Sequence, residues 1–456
     1  MDGVKNTPTE DQPAAVPPLA DASPRAKQAG DIRARWAWVE PEVWTDRMLT
    51  ALEKGVKGGK WFSLVDKVYA LRTLERAFKD VKQNKGSSGV DHQTVENFEM
   101  KLDANLERIS RLLKESQYTP QANQRVWIPK PGTRKEKRPL GIPTVRDRVV
   151  QTALRYTLEP IFEREFAEHS YGFRPGRGCK DALRRVEQLL KRGYTWVVDA
   201  DLKSYFDTIP HEPLMKQVSE RVSDGRILKL MESFLKQGIM ENMRYWTPEE
   251  GTPQGAVISP LLSNIYLDPL DHLMAKEGFE MIRYADDFVI LCRSQAEAER
   301  ALEVVHGWTK QAGLTLHPAK TCIVDATQRG GIDFLGYHFE RGYKWPRKKS
   351  LQKFKENIRL QTRRTNGQSL DFTIIRLNRT LVGWFNYFKH SHYTTFPRLD
   401  KWIRMRLRSL LRKRSKRSGV GLTRADHHRW PNAFFRNMGL FFLVDAHAAA
   451  RQSSRG

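Results

Sequence analysis

Apolar positions change their period several times along the chain. From Arg33 to about Ser116 they recur at helical spacing, as in Val65, Val68, Leu71, Leu74 and Phe78, broken by the turn-forming Lys85 to Asp91 (KGSSGVD). A helical leader with one glycine-rich loop is predicted. Gln124 to Pro143 (QRVWIPKPGTRKEKRPLGIP) reads as a hairpin, because its two short strands flank a Pro, Gly and charge cluster that no helix tolerates. Val149, Val150, Leu154, Leu158 and Ile161 then follow an i, i+4 pattern, which predicts an amphipathic helix running to Phe166. Glycine-rich Ser170 to Gly178 (SYGFRPGRG) comes next. Thr195 to Asp201 (TWVVDAD) is short, β-branched and aromatic, the composition of a buried strand. Met281 to Leu291 (MIRYADDFVIL) has the length of two short strands with an acidic turn between them. Strands separated by helices, with at least one hairpin, predict an α+β sheet domain between about 193 and 340. From Lys348 to about Arg417 the pattern is helical, with Ile374, Leu377, Leu381, Trp384 and Phe388 on one face.

Composition narrows the picture. The 456 residues suffice for two to four domains, and 39% apolar residues can fill their cores. Lys and Arg number 78 against 53 Asp and Glu, so the formal charge of +25 calls for an anionic partner. Residues 1–30 hold five prolines, six alanines and no aromatic, which predicts a disordered arm. No run approaches the roughly 18 apolar residues of a membrane span, and the start lacks a secretory pattern, so a cytoplasmic protein that does not engage membranes is expected. Cys179, Cys292 and Cys322 lie far apart without a CxxC pair, against a disulfide framework or a Cys-based zinc module. A metal would have to sit on carboxylates. The expected division is an arm over 1–32, an extension with a first sheet over 33–192, a carboxylate-bearing sheet domain over 193–342, and a helical domain with a tail over 343–456.

Two anomalies carry the chemistry. Asp286 and Asp287 interrupt residues that would otherwise be sheet core, and burying such charges without a partner is costly. Asp199 and Asp201 close the other apolar strand, and alternation puts both on the face of Val197. Acids converging on one sheet edge invite a divalent cation, and oxygen-only ligands select Mg²⁺ or Mn²⁺ over zinc. Two such ions are the recurrent arrangement for in-line phosphoryl transfer. The plainer alternative is a surface turn at Tyr284 to Asp287 and a helix N-cap at Asp201.

The residues from Arg125 to Phe339 resemble the fingers and palm of reverse transcriptases, most of all the group II intron-encoded reverse transcriptase/maturases. The resemblance rests on RVWIPKPGTRKEKRPLGIP, SYGFRPGRG, DADLKSYFDTI, GTPQGAVISPLLSNIYL, RYADDFVIL, GLTLHPAKT and IDFLGYHF in the family's order. It extends to KGSSGVD in the leader and to LVGWFNYF and WPNAFFRNMGL in the helical region, which resembles the thumb or maturase domain. It implies a right-hand polymerase, with fingers and a ferredoxin-like palm, followed by an all-helical thumb. It implies an RNA-directed DNA polymerase (a nucleotidyltransferase) that uses two Mg²⁺ ions, an RNA template, a DNA primer and deoxynucleoside triphosphates. Asp201, Asp286 and Asp287 match the catalytic metal ligands, with Asp199 as the fallback for the first. Phe206 matches the bulky residue that collides with a 2′-hydroxyl, Lys130 and Arg138 the residues that grip the triphosphate, and Gln254 a nucleotide and template contact. Lys320 is a candidate phosphate or primer contact, and Phe334 to Phe339 resembles the turn that supports the primer terminus.

Between Lys401 and Arg417 nine of 17 residues are basic and none is acidic. Leu399, Ile403, Leu407 and Leu411 form one helical stripe and Arg404, Arg408 and Arg412 another, so the latter is the expected cationic face for RNA, with a membrane-surface helix as the competing reading. The leading expectation is therefore a reverse transcriptase that also binds structured intron RNA as a maturase. The alternatives are a splicing-only RNA-binding maturase and a domesticated enzyme of host antiviral defence. Only 26 residues follow Trp430, none of them Cys, so no appended Cys/His endonuclease is expected. His427 and His428 are read as structural or surface residues.

Overall fold

The computed structural model describes residues 32–129, 137–241, 244–365 and 367–452. Among these, the strands in chain order are β1 (Asn123–Pro129), β2 (Lys137–Ile142), β3 (Trp196–Asp201), β4 (Ile239–Glu241), β5 (Arg244–Trp246), β6 (Glu280–Tyr284), β7 (Asp287–Cys292), β8 (Cys322–Asp325), β9 (Ile332–Phe334), β10 (Tyr337–Glu340) and β11 (Tyr343–Pro346). They form three sheets, ordered β2-β1-β4-β5, β6-β7-β3-β8 and β11-β10-β9. Helices fill the rest, so the α+β expectation holds.

The second sheet is antiparallel throughout and organises the centre of the molecule. Alternation on β3 divides the core in two. Val198 and Ala200 face the helices Ser259–Lys276 and Gln295–Gln311, together with Phe288, Ile290 and Cys292 of β7. Val197 faces the other way, with Ile282, Val289 and Leu291, onto the Cys179–Lys191 helix and the small β9–β11 sheet. Each face is thus covered, which is why β7 reads as an unbroken apolar run.

The first core does not stop at residue 192. It runs from Val39 to Leu314 and includes Trp44, whose indole Nε1 donates to the Tyr156 carbonyl at 3.0 Å. Asp224, the N-cap of the Gly225–Leu235 helix, also accepts from the backbone of Leu64 and Val65, so one carboxylate ties the leader to the sheet domain. The helical region beyond Lys348 has its own core, built by Phe354, Ile374, Leu381, Ile403 and Phe435 among others.

The predicted amphipathic helix differs from expectation. Val145–Glu163 is buried on nearly every side, its polar Asp147, Gln151, Thr152 and Thr157 included. The cause is its position between the leader helices and the central sheet's helices, where its polar groups anchor loops: Asp147 accepts from Tyr118 Oη at 2.6 Å and Thr144 Oγ1 at 2.8 Å. The sequence pattern showed one apolar stripe and gave no sign of what covers the rest.

Candidate active site

The hairpin β6–β7 turns on Ala285 and Asp286. Ala285 takes a left-handed φ of 60°, a place where tight hairpins usually ask for glycine. What holds it is Arg283, fully buried beneath the turn. Its guanidinium donates to the Ala285 carbonyl and to Asn264 Oδ1, both at 2.9 Å, and pairs with Asp271 at 2.8 and 3.0 Å. Asn264 Nδ2 in turn donates to the Gly172 carbonyl at 2.8 Å. Gly172 lies so close that a Cβ there would meet the Ala285 nitrogen at 2.2 Å, so the SYGFRPGRG segment is the floor of the acidic turn. Both Arg283 and Gly172 stood in quoted motifs, but neither spacing nor hydropathy marked them as the turn's supports.

The register then places the acids. Asp201 is the β3 partner of Asp287, and Tyr284 pairs Asp287 across the hairpin, so Asp201, Asp286 and Asp287 meet at one end of the sheet. Asp199, one alternation back, lies on the same side. Their charges are only partly compensated. Burial, then repulsion from Asp287 and Asp201, pushes Asp199 up to about 6. Lost hydration, then Asp286 and Asp201, pushes Asp287 up to about 6, and Asp286 is raised by burial and by Asp201. Asp287 keeps open surface, so the repulsive share of this is what a bound cation would remove. One cation is already present in the side chains: Lys320 Nζ lies 2.5 Å from Asp201 Oδ2. Lys320, expected on phosphate or primer, is thus placed in the acidic corner itself.

Oxygen donors and excess negative charge suit a hard divalent cation. Among the described residues no three His, Cys, Asp or Glu side chains converge into a ligand set, and Asp201 is engaged by Lys320.

The other predicted residues lie on other elements. Phe206 is half-buried, edge-on to Tyr205 at 5.5 Å, and Tyr205 is fixed by donating to the Ser263 carbonyl at 2.8 Å. The Phe206 carbonyl accepts from Thr252 N at 2.6 Å, and a Cβ on Gly251 would strike it at 2.9 Å. The Gly251–Gly255 loop also reaches the first sheet, where Gly141 N donates to the Gln254 carbonyl at 2.7 Å. Gln254 Nε2 approaches Asp207 Oδ2 at 3.5 Å. Arg138 is exposed on β2, opposite Ile128. Lys130, assigned to the same grip, lies outside the described residues, as do residues 1–31 of the predicted arm.

The basic helix Thr395–Arg414 corrects an expectation. Leu399, Ile403 and Leu407 are buried as predicted, but the arginine stripe is no open cationic face. Arg408 is 2% exposed and donates to the Trp430 carbonyl at 2.9 Å and Asn432 Oδ1 at 3.0 Å. Arg412 pairs with Asp426 at 2.8 Å, and Arg404 lies over the Phe442 ring at 5.3 Å. The C-terminal helices pack on that side, so these cations serve the fold. Of the basic residues from 401 to 417, Lys401, Lys413, Arg414, Lys416 and Arg417 are the exposed ones. Asp426 belongs to a capping box with Thr423, which puts neighbouring His427 and His428 on a short structural helix.

A sheet with acids at the end of its central hairpin, a glycine loop beneath and a helical domain behind is the architecture of a template-directed polymerase. Residues 128–339 match the reverse transcriptase (RNA-dependent DNA polymerase) family and residues 351–430 the group II intron maturase-specific domain. The chain is 33% identical to Protein YkfC of Escherichia coli over 352 residues, 68% of this chain and 86% of that one. It is 39% identical to the group II intron-encoded protein LtrA of Lactococcus lactis over 43% of this chain, and spans 32% of LtrA's length. It is 38% identical to an uncharacterized 91 kDa protein in the cob intron of Schizosaccharomyces pombe, over 57% of this chain and 39% of that one. The chain belongs to the group II intron reverse transcriptase/maturase family, a family of RNA-directed DNA polymerases with a maturase domain. Such enzymes generally use divalent metals. Among the described residues no helix is long and apolar enough to cross a membrane.

Proposed function

We propose that the chain extends a DNA primer's 3′-hydroxyl on an RNA template with deoxynucleoside triphosphates, and that it binds structured intron RNA in a second, splicing role. The observation that carries this is the Asp201–Asp287 register pair beside Asp286, three acids at one sheet end whose repulsion is only partly offset by Lys320. Mg²⁺, two ions in the full site, would be held by Asp201, Asp286 and Asp287, and would activate the attacking oxygen and stabilise the leaving one. Asp199 stands behind them as a further acid.

The remaining steps fall to the chain's own side chains. Phe206, backed by buried Tyr205, is a plate beneath the incoming sugar and excludes a 2′-hydroxyl. Arg138, with Lys130, holds the triphosphate, where fixed cations stabilise charge developing on phosphate oxygens. Gln254, tied through its carbonyl to Gly141, lines the nucleotide and template. Lys320, released from Asp201, is free to meet an anionic group of the substrates. The turn between β9 and β10 supports the primer end. In the arrangement proposed, the arm covers 1–32, the extension and fingers 33–192, the palm 193–342 and the thumb/maturase domain 343–456.

The test is primer extension on poly-rA with oligo-dT, with Mg²⁺ and with chelator, beside Asp286→Ala. Metal-dependent product lost in the variant is expected. No product from a folded, RNA-binding parent would reject the polymerase in favour of RNA binding alone.

A further inference from the structure

The turn joining β9 to β10 consists of Leu335 and Gly336, both left-handed, with φ of 44° and 83°. Leu335 carries a Cβ in that conformation, so the turn must be held from outside. Groups of the helical domain hold it. Tyr387 Oη donates to the Leu335 carbonyl at 2.7 Å, and the Gly336 carbonyl accepts from Arg347 N at 2.9 Å and Ser350 Oγ at 3.2 Å. A return bond runs from Tyr337 Oη to the Tyr387 carbonyl at 2.6 Å, with the Tyr337 ring 5.0 Å from that of Phe388.

Tyr387 also packs toward the strand that carries the acidic hairpin. Its ring packs against the same buried cluster as Tyr284, a cluster that includes Val197, Ile282, Val289 and Leu291 of the acidic sheet. Tyr284 is the strand partner of Asp287. One residue of the helical domain thus both packs against the sheet of the acidic hairpin and hydrogen-bonds the turn through the Leu335 carbonyl. Tyr387 is a thumb residue, whereas the turn and the hairpin belong to the palm.

We infer that Tyr387 is a positioning residue that sets the β9–β10 turn relative to the acidic hairpin, so that docking of the thumb helix and alignment of the primer end are one event. This rests on the reading of the turn as the primer support. An aromatic ring alone would suffice for packing at this place; the hydroxyl is what the bond to the Leu335 carbonyl requires.

Tyr387→Phe in the full chain separates the two, since it keeps the ring and removes the bond. In single-nucleotide extension the KM for primer–template is expected to rise roughly three- to tenfold, the range of one neutral hydrogen bond. Products shorten, while the KM for dTTP and the thermal midpoint stay put. Ser350→Ala, which removes the longer bond to Gly336, is expected to move primer KM less and in the same direction. Binding of a fluorescent oligo-dT/poly-rA duplex, which needs no turnover, should weaken by a similar factor in Tyr387→Phe. Unchanged primer KM and duplex affinity would overturn the inference, and so would a loss shared equally by dTTP KM and thermal midpoint. If the parent does not extend a primer at all, the polymerase reading fails, and the duplex-binding arm still decides the role of Tyr387.

Discussion

The acidic corner of the palm and the basic helix of the thumb are both dense in like charge, and the fold treats them oppositely. In the thumb each arginine of the predicted stripe has a partner inside the protein: a carbonyl and an amide for Arg408, Asp426 for Arg412, an aromatic ring for Arg404. In the palm four acids share one sheet end with Lys320 as the close cation, and the protein accepts the repulsion. Charge that a fold neutralises contributes to stability; charge that it leaves opposed awaits a ligand.

The largest effect that would break this contrast lies at Asp286. Asp286→Ala should lower the primer-extension rate by at least about 10³-fold, in keeping with removal of a ligand from a metal-assisted site. Because it also removes a repelling charge, the metal-free variant should melt no lower than its parent. A calorimetric midpoint that fell by several degrees would mean that the acid holds the fold together.

Arg408 is the mirror case. Truncation to Ala leaves the Trp430 carbonyl and Asn432 without their donor and opens space beside Phe435, a loss of roughly 2–4 kcal/mol by denaturant titration. The salt dependence of RNA binding should be untouched. A shallower salt slope in Arg408→Ala would restore the open cationic face.

Glu159 sharpens the rule by limiting it. Half-buried on the Val145–Glu163 helix, with Arg155 3.8 Å away, it is pushed up to about 7 by lost hydration and by the like charge of Glu163, above Asp199 and Asp287, yet it stands outside the acidic corner. Opposed charge thus marks function only where a ligand can arrive. With its folded-state value raised, the native protein binds the extra proton between about pH 4 and 7, so this group's support is full below that window and gone above it. Glu159→Gln should match the parent near pH 4 and exceed it at pH 8 by up to about 3 kcal/mol. Equal stability at both pH values would show that the carboxyl is hydrated.

Chemistry was more legible in the sequence than support. The strands ending in Asp201 and flanking Asp286 announced themselves by apolar runs broken by acids, and alternation gave the correct face for Asp199 and Asp201. The supports of the acidic turn did not, because Arg283, Asn264 and Asp271 are polar residues whose burial depends on contacts 12 to 92 residues apart. The arginine stripe misled for the same reason. Periodicity tells which residues share a helix face, but a short capped helix arriving from Thr423 to Trp430 decides whether that face meets water.

The smallest expected effect concerns what replaces that stripe. Lys413 and Lys416 lie at the exposed end of the basic helix, and a phosphate backbone is the polyanion their charge suits. Lys413→Ala should weaken RNA binding a few-fold, lower the salt slope by about 1 and leave the melting midpoint within a degree. Lys416→Ala should do the same, and the pair should add, since each phosphate contact releases its own counterions. Arg408→Ala in the same titration supplies the contrast: unfolding without a change of slope there, and a change of slope without unfolding at Lys413. The reverse pattern would mean that the buried stripe opens in solution and that the C-terminal helices cover the RNA-binding face only until RNA displaces them.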